Sequence, residues 1–435
     1  MFPSRRVALL LALALASGLG QAGCTSEPEK QPVPAAGTSP GARRFSVPVL
    51  PSSESEQNRL ARVLRLADQQ PTGWYAPAGT AVTIEASLAE GLPEPEITIG
   101  TPGPSAPRRY PVKASKITVT DPAGGPIHVR YLTGTVTATA PPVTITIGHG
   151  AVPMPLAVLG ATTPQQWKDL VARTEAPVAQ LRSRYVVLTV PVATARDHAG
   201  EDVTALLTAY DELVTAQDAL GGQAGDSLRD RVSPLLTYVV EGQAAAAADE
   251  YVTWPASRMS EVLTVAGVRR SWALWSEFGH LREQQAWEWK AASEPMAGLY
   301  ALAVERAWKA PPRLTAEGSF AKAEAYLRKP AAERDYNALA ASDPGTALVM
   351  FEQLRLGYGD KLFHRLHQGI RQRLPDPQDE RTRMAFFQIS ASTAAGADLS
   401  GFFTAWGLPS DDRVAARIAG SRLTVPVKDL TTLRY

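Results

Sequence analysis

Between Gly73 and about Ala151 the chain consists of short β-branched segments that Pro and Gly keep interrupting: "AVTIEA", "PEITIG", "SKITVT", "PIHVRYL", "GTVTATA" and "VTITIG". Segments this short, alternating β-branched with small or polar residues, predict a β-sandwich or barrel. The periodicity then changes. "TPQQWKDLVART" reads as a capped helix, "RYVVLTVPV" as a buried strand and "EDVTALLTAYDELVTAQDAL" as a long amphipathic helix, which together predict an α/β region. From about Gly318 helical spacing dominates in "SFAKAEAYLRK", "GTALVMFEQLRLGYGDKLFHRLHQGIRQRL", "ERTRMAFFQISASTAA" and "LSGFFTAW", with Pro and Gly at the joints. No repeated unit appears, so one periodic architecture is excluded. With 435 residues, 45% of them hydrophobic, the chain can bury more than one core. The expectation is an α+β multidomain protein: an N-terminal β-sandwich-like module over 56–155, an α/β unit over 156–317 and a C-terminal helical bundle over 318–435.

The first residues, "MFPSRRVALLLALALASGLGQAGC", combine a basic start, a short apolar run and small residues ending at Cys24. That is the pattern of a secretory signal, too short to span a membrane. Cys24 is the only cysteine, which excludes an internal disulfide framework. "QAGC" resembles the bacterial lipobox, with Gln21 where that pattern prefers leucine, and predicts a lipoprotein signal over 1–24 with lipidation at Cys24. The Pro-, Ser- and Ala-rich stretch over 25–55 has little to bury and reads as a tether. The expected location is outside the cytoplasm, as a bacterial membrane-anchored lipoprotein facing the periplasm or the cell surface. Lys plus Arg number 44 against 43 Asp plus Glu, so no overall field draws nucleic acid, and contact with a membrane would be through the anchor alone.

Chemistry concentrates in "LWSEFGHLREQQAWEWKAASEP", Leu274 to Pro295. Ser276 and His280 stand four apart and share a helix face, with Glu277 one position round, the geometry of a zinc-binding H-E-x-x-H helix. There two imidazoles and a third ligand hold the ion, and the carboxylate takes a proton from metal-bound water. The same spacing also describes an ordinary structural helix. His128 and His149 fall in the β-rich stretch and read as plain strand residues, and His198 carries no assignable role. His364 and His367, three apart, fit a helix face better than a metal pair. The cluster Trp272, Trp275, Trp287 and Trp289, with Phe278, could stack on sugar rings, although its near-helical spacing fits core packing.

Several separate stretches resemble the enhancin-type zinc metallopeptidases, peptidase family M sixty, which include mucin-degrading enzymes. "TGWYAPAG" at Thr72–Gly79 is similar to the segment opening the family's β-rich module, and "PLAVLGATTPQQWKDLVARTEAPVAQLRSRYVVLTVPVATAR" to its entry into the peptidase unit. "SEPMAGLYALAVERAW" resembles the segment with the third zinc ligand, and "GTALVMFEQLRLGYGDKLFHRLHQGIRQ" with "DLSGFFTAWGLP" the C-terminal helical part. The likeness spans most of Pro71 to Ala419. It implies that the α/β unit is zincin-like (gluzincin), that Zn is the cofactor, that Glu277 is the catalytic glutamate, and that His280 and Glu294 are metal ligands. Glu288 could compete with Glu294, but the "SEPMAGLY" context favours Glu294. Ser276 stands at the missing first-ligand position, where a neutral, weakly basic hydroxyl should lower zinc affinity steeply. "LREQQ" also brings Arg282 and Glu283 where the family usually carries further His, Asn or Gln. Two functional readings follow: an exported, lipid-anchored metallopeptidase acting on extracellular mucin-like glycoprotein or peptide, or an inactive pseudopeptidase that binds such a partner. A structural surface protein is the third.

Overall fold

Alternating apolar residues build the first module as two antiparallel sheets. One has the spatial order Arg44–Val47, Val143–Ile147, Ala81–Ala86, Lys116–Thr120, and the other Val152–Pro153, Gln70–Ala76, Gly125–Arg130, Glu96–Ile99, Arg108–Pro111. Val82, Ile84 and Ile145 of the first meet Ile97, Ile99, Ile127 and Val129 of the second in one buried core, so the module is a sandwich. Two expectations need correction. The stretch "GTVTATA" forms no strand at its described positions, because Leu132–Thr133 leaves the sheet to pair with Leu50–Pro51 and Pro141 and Pro142 follow at once. The tether expected through residue 55 gives way by Arg44, where burial of Phe45 and Val47 adds a strand to the first sheet.

This computed structural model describes residues 43–435 except 88, 136–137, 224–226 and 411. Cys24, the predicted signal and the first part of the predicted tether lie outside the described residues. The described residues all fall in one compact unit, Pro34–Tyr435. No helix among them is long and apolar enough to cross a membrane.

The second layer is a six-stranded mixed sheet in the order Leu156–Val158, Val178–Arg182, Val186–Pro191, Thr237–Gly242, Tyr251–Pro255, Ala246–Ala248, with the last strand antiparallel at the edge. One face, including Ala179, Leu181 and Leu188, packs on Leu206, Leu213 and Phe278 of helices Val203–Leu220 and Trp272–His280. The other face meets the sandwich through polar side chains: Gln180 Nε2 lies 3.0 Å from His128 Nε2 and donates to Thr189 Oγ1, while the His128 ring sits edge-on to Tyr238. Beyond the sheet, helices Ser319–Leu327, Pro344–Tyr358, Lys361–Arg373 and Glu380–Ala395 enclose a core that includes Trp287, Phe351, Phe387 and Trp406.

His128 and His367 are fully buried, and burial pushes both imidazoles down to about 3. His128 is a strand residue as read, whereas His367, expected on a solvated or half-buried helix face, is enclosed in the core; its Nδ1 donates to the Phe363 carbonyl at 2.7 Å and Nε2 faces the Tyr300 hydroxyl at 2.8 Å. A folded value below the unfolded one means that stability is complete above about pH 6.5 and falls as the pH drops toward 3, because only the unfolded chain takes up the proton. Each residue should cost on the order of 2 kcal/mol at pH 5 relative to pH 7. Urea midpoints measured from pH 7 to 4 should fall steeply, and His367→Asn should flatten part of that slope.

Candidate functional site

The helix Trp272–His280 begins where Ser271 caps it, its hydroxyl accepting from Leu274 N–H at 3.3 Å. Leu274, Trp275 and Phe278 anchor one side in the sheet core, and the Trp275 indole donates to Val268 O at 2.7 Å. Gly279 faces the next long helix, Ser293–Ala307, at backbone contact: a Cβ there would lie 2.4 Å from the Ala297 carbonyl oxygen. This close crossing brings His280 and Glu294 together. Gly279→Ala should therefore destabilise the fold by about 1–3 kcal/mol through overpacking and move the two helices apart. A denaturant titration checks the first part, and a glycine-like stability would refute it.

Around the helix end His280 is held on both ring nitrogens. Its Nδ1 lies 3.2 Å from Glu283 Oε1 and its Nε2 3.6 Å from Glu294 Oε1. Ser293 Oγ donates to Glu283 Oε1 at 3.1 Å and lies 3.4 Å from His280 Nδ1. Burial alone would push the imidazole down, but hydrogen bonding and charge from Glu283 and Glu294 outweigh it and hold His280 up to about 10. The His280 imidazole beside it pulls Glu294 below the usual carboxylate range, whereas burial pushes Glu283 above it. Glu277 points to the edge strand, where its Oε2 accepts from Ala247 N–H at 2.7 Å, and burial pushes its carboxyl upward against the opposing pull of His280.

Ser276, 8% exposed, lines a cavity of about 250 Å³ that Glu294 also lines. Glu288 lies 3.5 Å from Arg383. Of the four tryptophans, Trp275, Trp287 and Trp289 are buried in the cores, Trp287 stacking on Phe387 and Trp289 donating to Asn337 Oδ1. Trp272 is partly buried and reaches the cavity, with the Arg313 guanidinium 4.6 Å above its ring. His364 and His367 do not form a metal pair, since both His367 nitrogens are engaged within the core.

The donor set decides the fit to zinc. Two ligands of a tetrahedral ion at about 2.0–2.1 Å stand about 3.4 Å apart, close to the spacing of His280 Nε2 and Glu294 Oε1. Glu283 on Nδ1 is the carboxylate that zinc-binding histidines commonly carry behind them. The third donor is missing: Ser276 offers a neutral hydroxyl, and among the described residues no three His, Cys, Asp or Glu side chains converge on one point. The residues present do not fit the three-ligand zinc site implied by the resemblance.

A buried ion group supports the helix from behind. Arg62 Nη2 and Arg282 Nε approach the same oxygen, Asp218 Oδ1, at 2.8 and 3.3 Å; Arg62 also donates to Gln223, and Arg282 to the Phe278 carbonyl. The segment after the first helix, Ser53–Leu60, closes this side: Gln285 N–H donates to Ala61 O and Val63 N–H to Glu283 O, fixing the turn that carries Glu283. Sequence reasoning treated Arg282 and Glu283 as departures and did not find Ala247, Ser293 or Asp218. Only Glu283, three residues after His280, left a signal in spacing.

Sandwich, mixed sheet and motif helix together define a metallopeptidase-like α+β protein. The family model described as "Peptidase M60, enhancin and enhancin-like" matches residues 150–407, and that for the "N-terminal domain of M60-like peptidases" matches residues 51–146. The chain belongs to this family. It is 27% identical over 310 residues to TRPM8 channel-associated factor 2 of Bos taurus, an alignment covering 68% of this chain and 32% of that one. The chain thus spans about a third of the length of such relatives. A functionally unknown conserved protein from Bacillus anthracis str. Ames superposes with a TM-score of 0.80 at 25% identity, over 89% of this chain and 80% of that one. A metallopeptidase in complex with Tn antigen shares the fold, with a TM-score of 0.76 at 18% identity over 90% and 80%.

Proposed function

We propose that this protein is an exported, lipid-anchored member of the family that binds extracellular glycoprotein or peptide beside the motif helix without zinc-dependent hydrolysis. The observation that carries this reading is Ser276, a neutral hydroxyl at the first-ligand position, where among the described residues no three metal-binding side chains converge on one point. Export and anchoring rest on the basic and apolar start of the chain and on Cys24. The glycoprotein partner rests on the family and on a neighbour of the same fold that holds Tn antigen. In this reading the α/β unit is a zincin-like scaffold, and Glu277, His280 and Glu294 keep the positions of a catalytic base and two metal ligands while serving as polar walls of a binding cleft.

One observation favours the hydrolytic alternative, with Glu277 as base: His280 and Glu294 already stand at the separation of two zinc ligands. A single experiment separates the two. The purified protein is exposed to zinc, exchanged into metal-free buffer and assayed for metal by mass spectrometry, then mixed with a threonine-rich peptide bearing the Tn antigen. The expected result is little retained zinc, measurable glycopeptide binding and an intact peptide. Stoichiometric zinc with cleavage that a chelator abolishes would overturn the proposal.

A further inference from the structure

Among the described residues six arginines are at least nine-tenths buried: Arg59, Arg62, Arg130, Arg182, Arg282 and Arg371. Five of them hold a carboxylate: Arg59 meets Glu56 at 2.6 Å, Arg130 Asp68 at 2.6 Å and Arg371 Asp230 at 2.7 Å, while Arg62 and Arg282 share Asp218. Arg182 holds none. Its Nε has no hydrogen-bond partner, and among the described residues nothing pairs with the rest of its guanidinium.

The place of this side chain explains why. Arg182 ends the strand Val178–Arg182, along which Ala179 and Leu181 enter the core shared with the helices. Alternation therefore turns Gln180 and Arg182 to the other face, where Gln180 meets His128 of the sandwich. The cross-strand neighbours of Arg182, Val158 and Val187, are buried and apolar. The titratable group that acts on it is the Tyr238 phenol, which donates its proton to the Gln69 carbonyl and so stays neutral. Two residues back along the same face, Gln180 Oε1 also has no partner. Burial lowers the pKa of the guanidinium from its ordinary value, yet an arginine keeps its charge at neutral pH. A fixed charge withdrawn from water without a counter-charge is strongly destabilising, and the other five buried arginines all have one.

We infer that a small monovalent anion, of the size of chloride, binds Arg182 in the seam between the sandwich and the mixed sheet and supplies the counter-charge that no side chain provides. Nε and the adjacent Nη form the two-donor edge on which guanidinium groups hold anions. The residue is 6% exposed, an opening for a compact ion rather than for a peptide or a glycan. This site lies apart from the motif helix, so glycopeptide binding or its failure has no bearing on it.

The test follows the melting temperature of the purified full chain at constant ionic strength in sodium chloride, sodium formate or sodium gluconate. At about a hundred times its dissociation constant, chloride should raise the melting temperature by about 3 °C over gluconate, whose anion is too large for the seam. Formate, a compact carboxylate, should act as chloride does. Arg182→Met should abolish the difference, and in gluconate it should melt at or above the wild-type temperature because it removes the unanswered charge. Arg182→Lys keeps the charge and loses the two-donor edge, so its chloride midpoint should rise about tenfold; this variant decides the matter where Arg182→Met does not fold. Equal melting in chloride and gluconate would mean that water alone hydrates the guanidinium, and overturns the inference. A chloride effect that survives unchanged in either variant places the ion elsewhere and overturns it as well. So does a folded Arg182→Met that melts well below the wild type in gluconate, since the charge is then answered within the chain.

Discussion

Replacing Ser276 with histidine is expected to raise zinc affinity by about two to three orders of magnitude. A complete four-ligand site is worth about 10–16 kcal/mol, so one restored imidazole contributes roughly 3–4 kcal/mol. Position 276 shares a helix face with His280, and its side chain borders a cavity of about 250 Å³ with Glu294 on the same wall, so an imidazole has room to enter. The two remaining donors already stand 3.6 Å apart, which limits the reorganisation needed. Competition with a chromophoric chelator measures the gain directly and does not depend on catalysis. No change in affinity would mean that the hold of Glu283 and Glu294 on the imidazole, and not the lost ligand, keeps the ion out.

The second large effect lies behind the helix. Asp218→Ala should destabilise the protein by about 3–5 kcal/mol, because it leaves the guanidiniums of Arg62 and Arg282 buried without their shared carboxylate. Burial already pushes Arg282 down to about 10 even with Asp218 present. Removing Arg62 as well, in Asp218→Ala with Arg62→Met, should recover part of the loss, and a double-mutant cycle reads the coupling. Additive effects would show that the two residues act independently. Because Arg282 Nη1 also holds the Phe278 carbonyl, the single substitution should loosen the turn that carries Glu283, and with it the positioning of His280.

Much of the architecture was legible because it follows from period and punctuation. "AVTIEA" and "VTITIG" became strands Ala81–Ala86 and Val143–Ile147 since alternation alone decides which side is buried. "TPQQWKDLVART" became the helix Pro164–Arg173 because Thr163 and Gln166 close a capping box at its start. "GTVTATA" has the same β-branched composition yet forms no strand at its described positions, since a strand needs a neighbour with open hydrogen bonds and propensity does not provide one.

Spacing along the chain determined that Ser276, Glu277 and His280 occupy neighbouring positions on one helix, and that a serine stands where a ligand would be needed, because three or four residues make one turn. It could not determine what faces them. Tertiary structure alone brought Glu294 to His280 across the Gly279–Ala297 contact, Ala247 to Glu277 from an edge strand, and Arg62 to Asp218 across 156 residues. Contacts between distant segments depend on how helices and sheets pack, and packing is a property of the assembled core that no local pattern records.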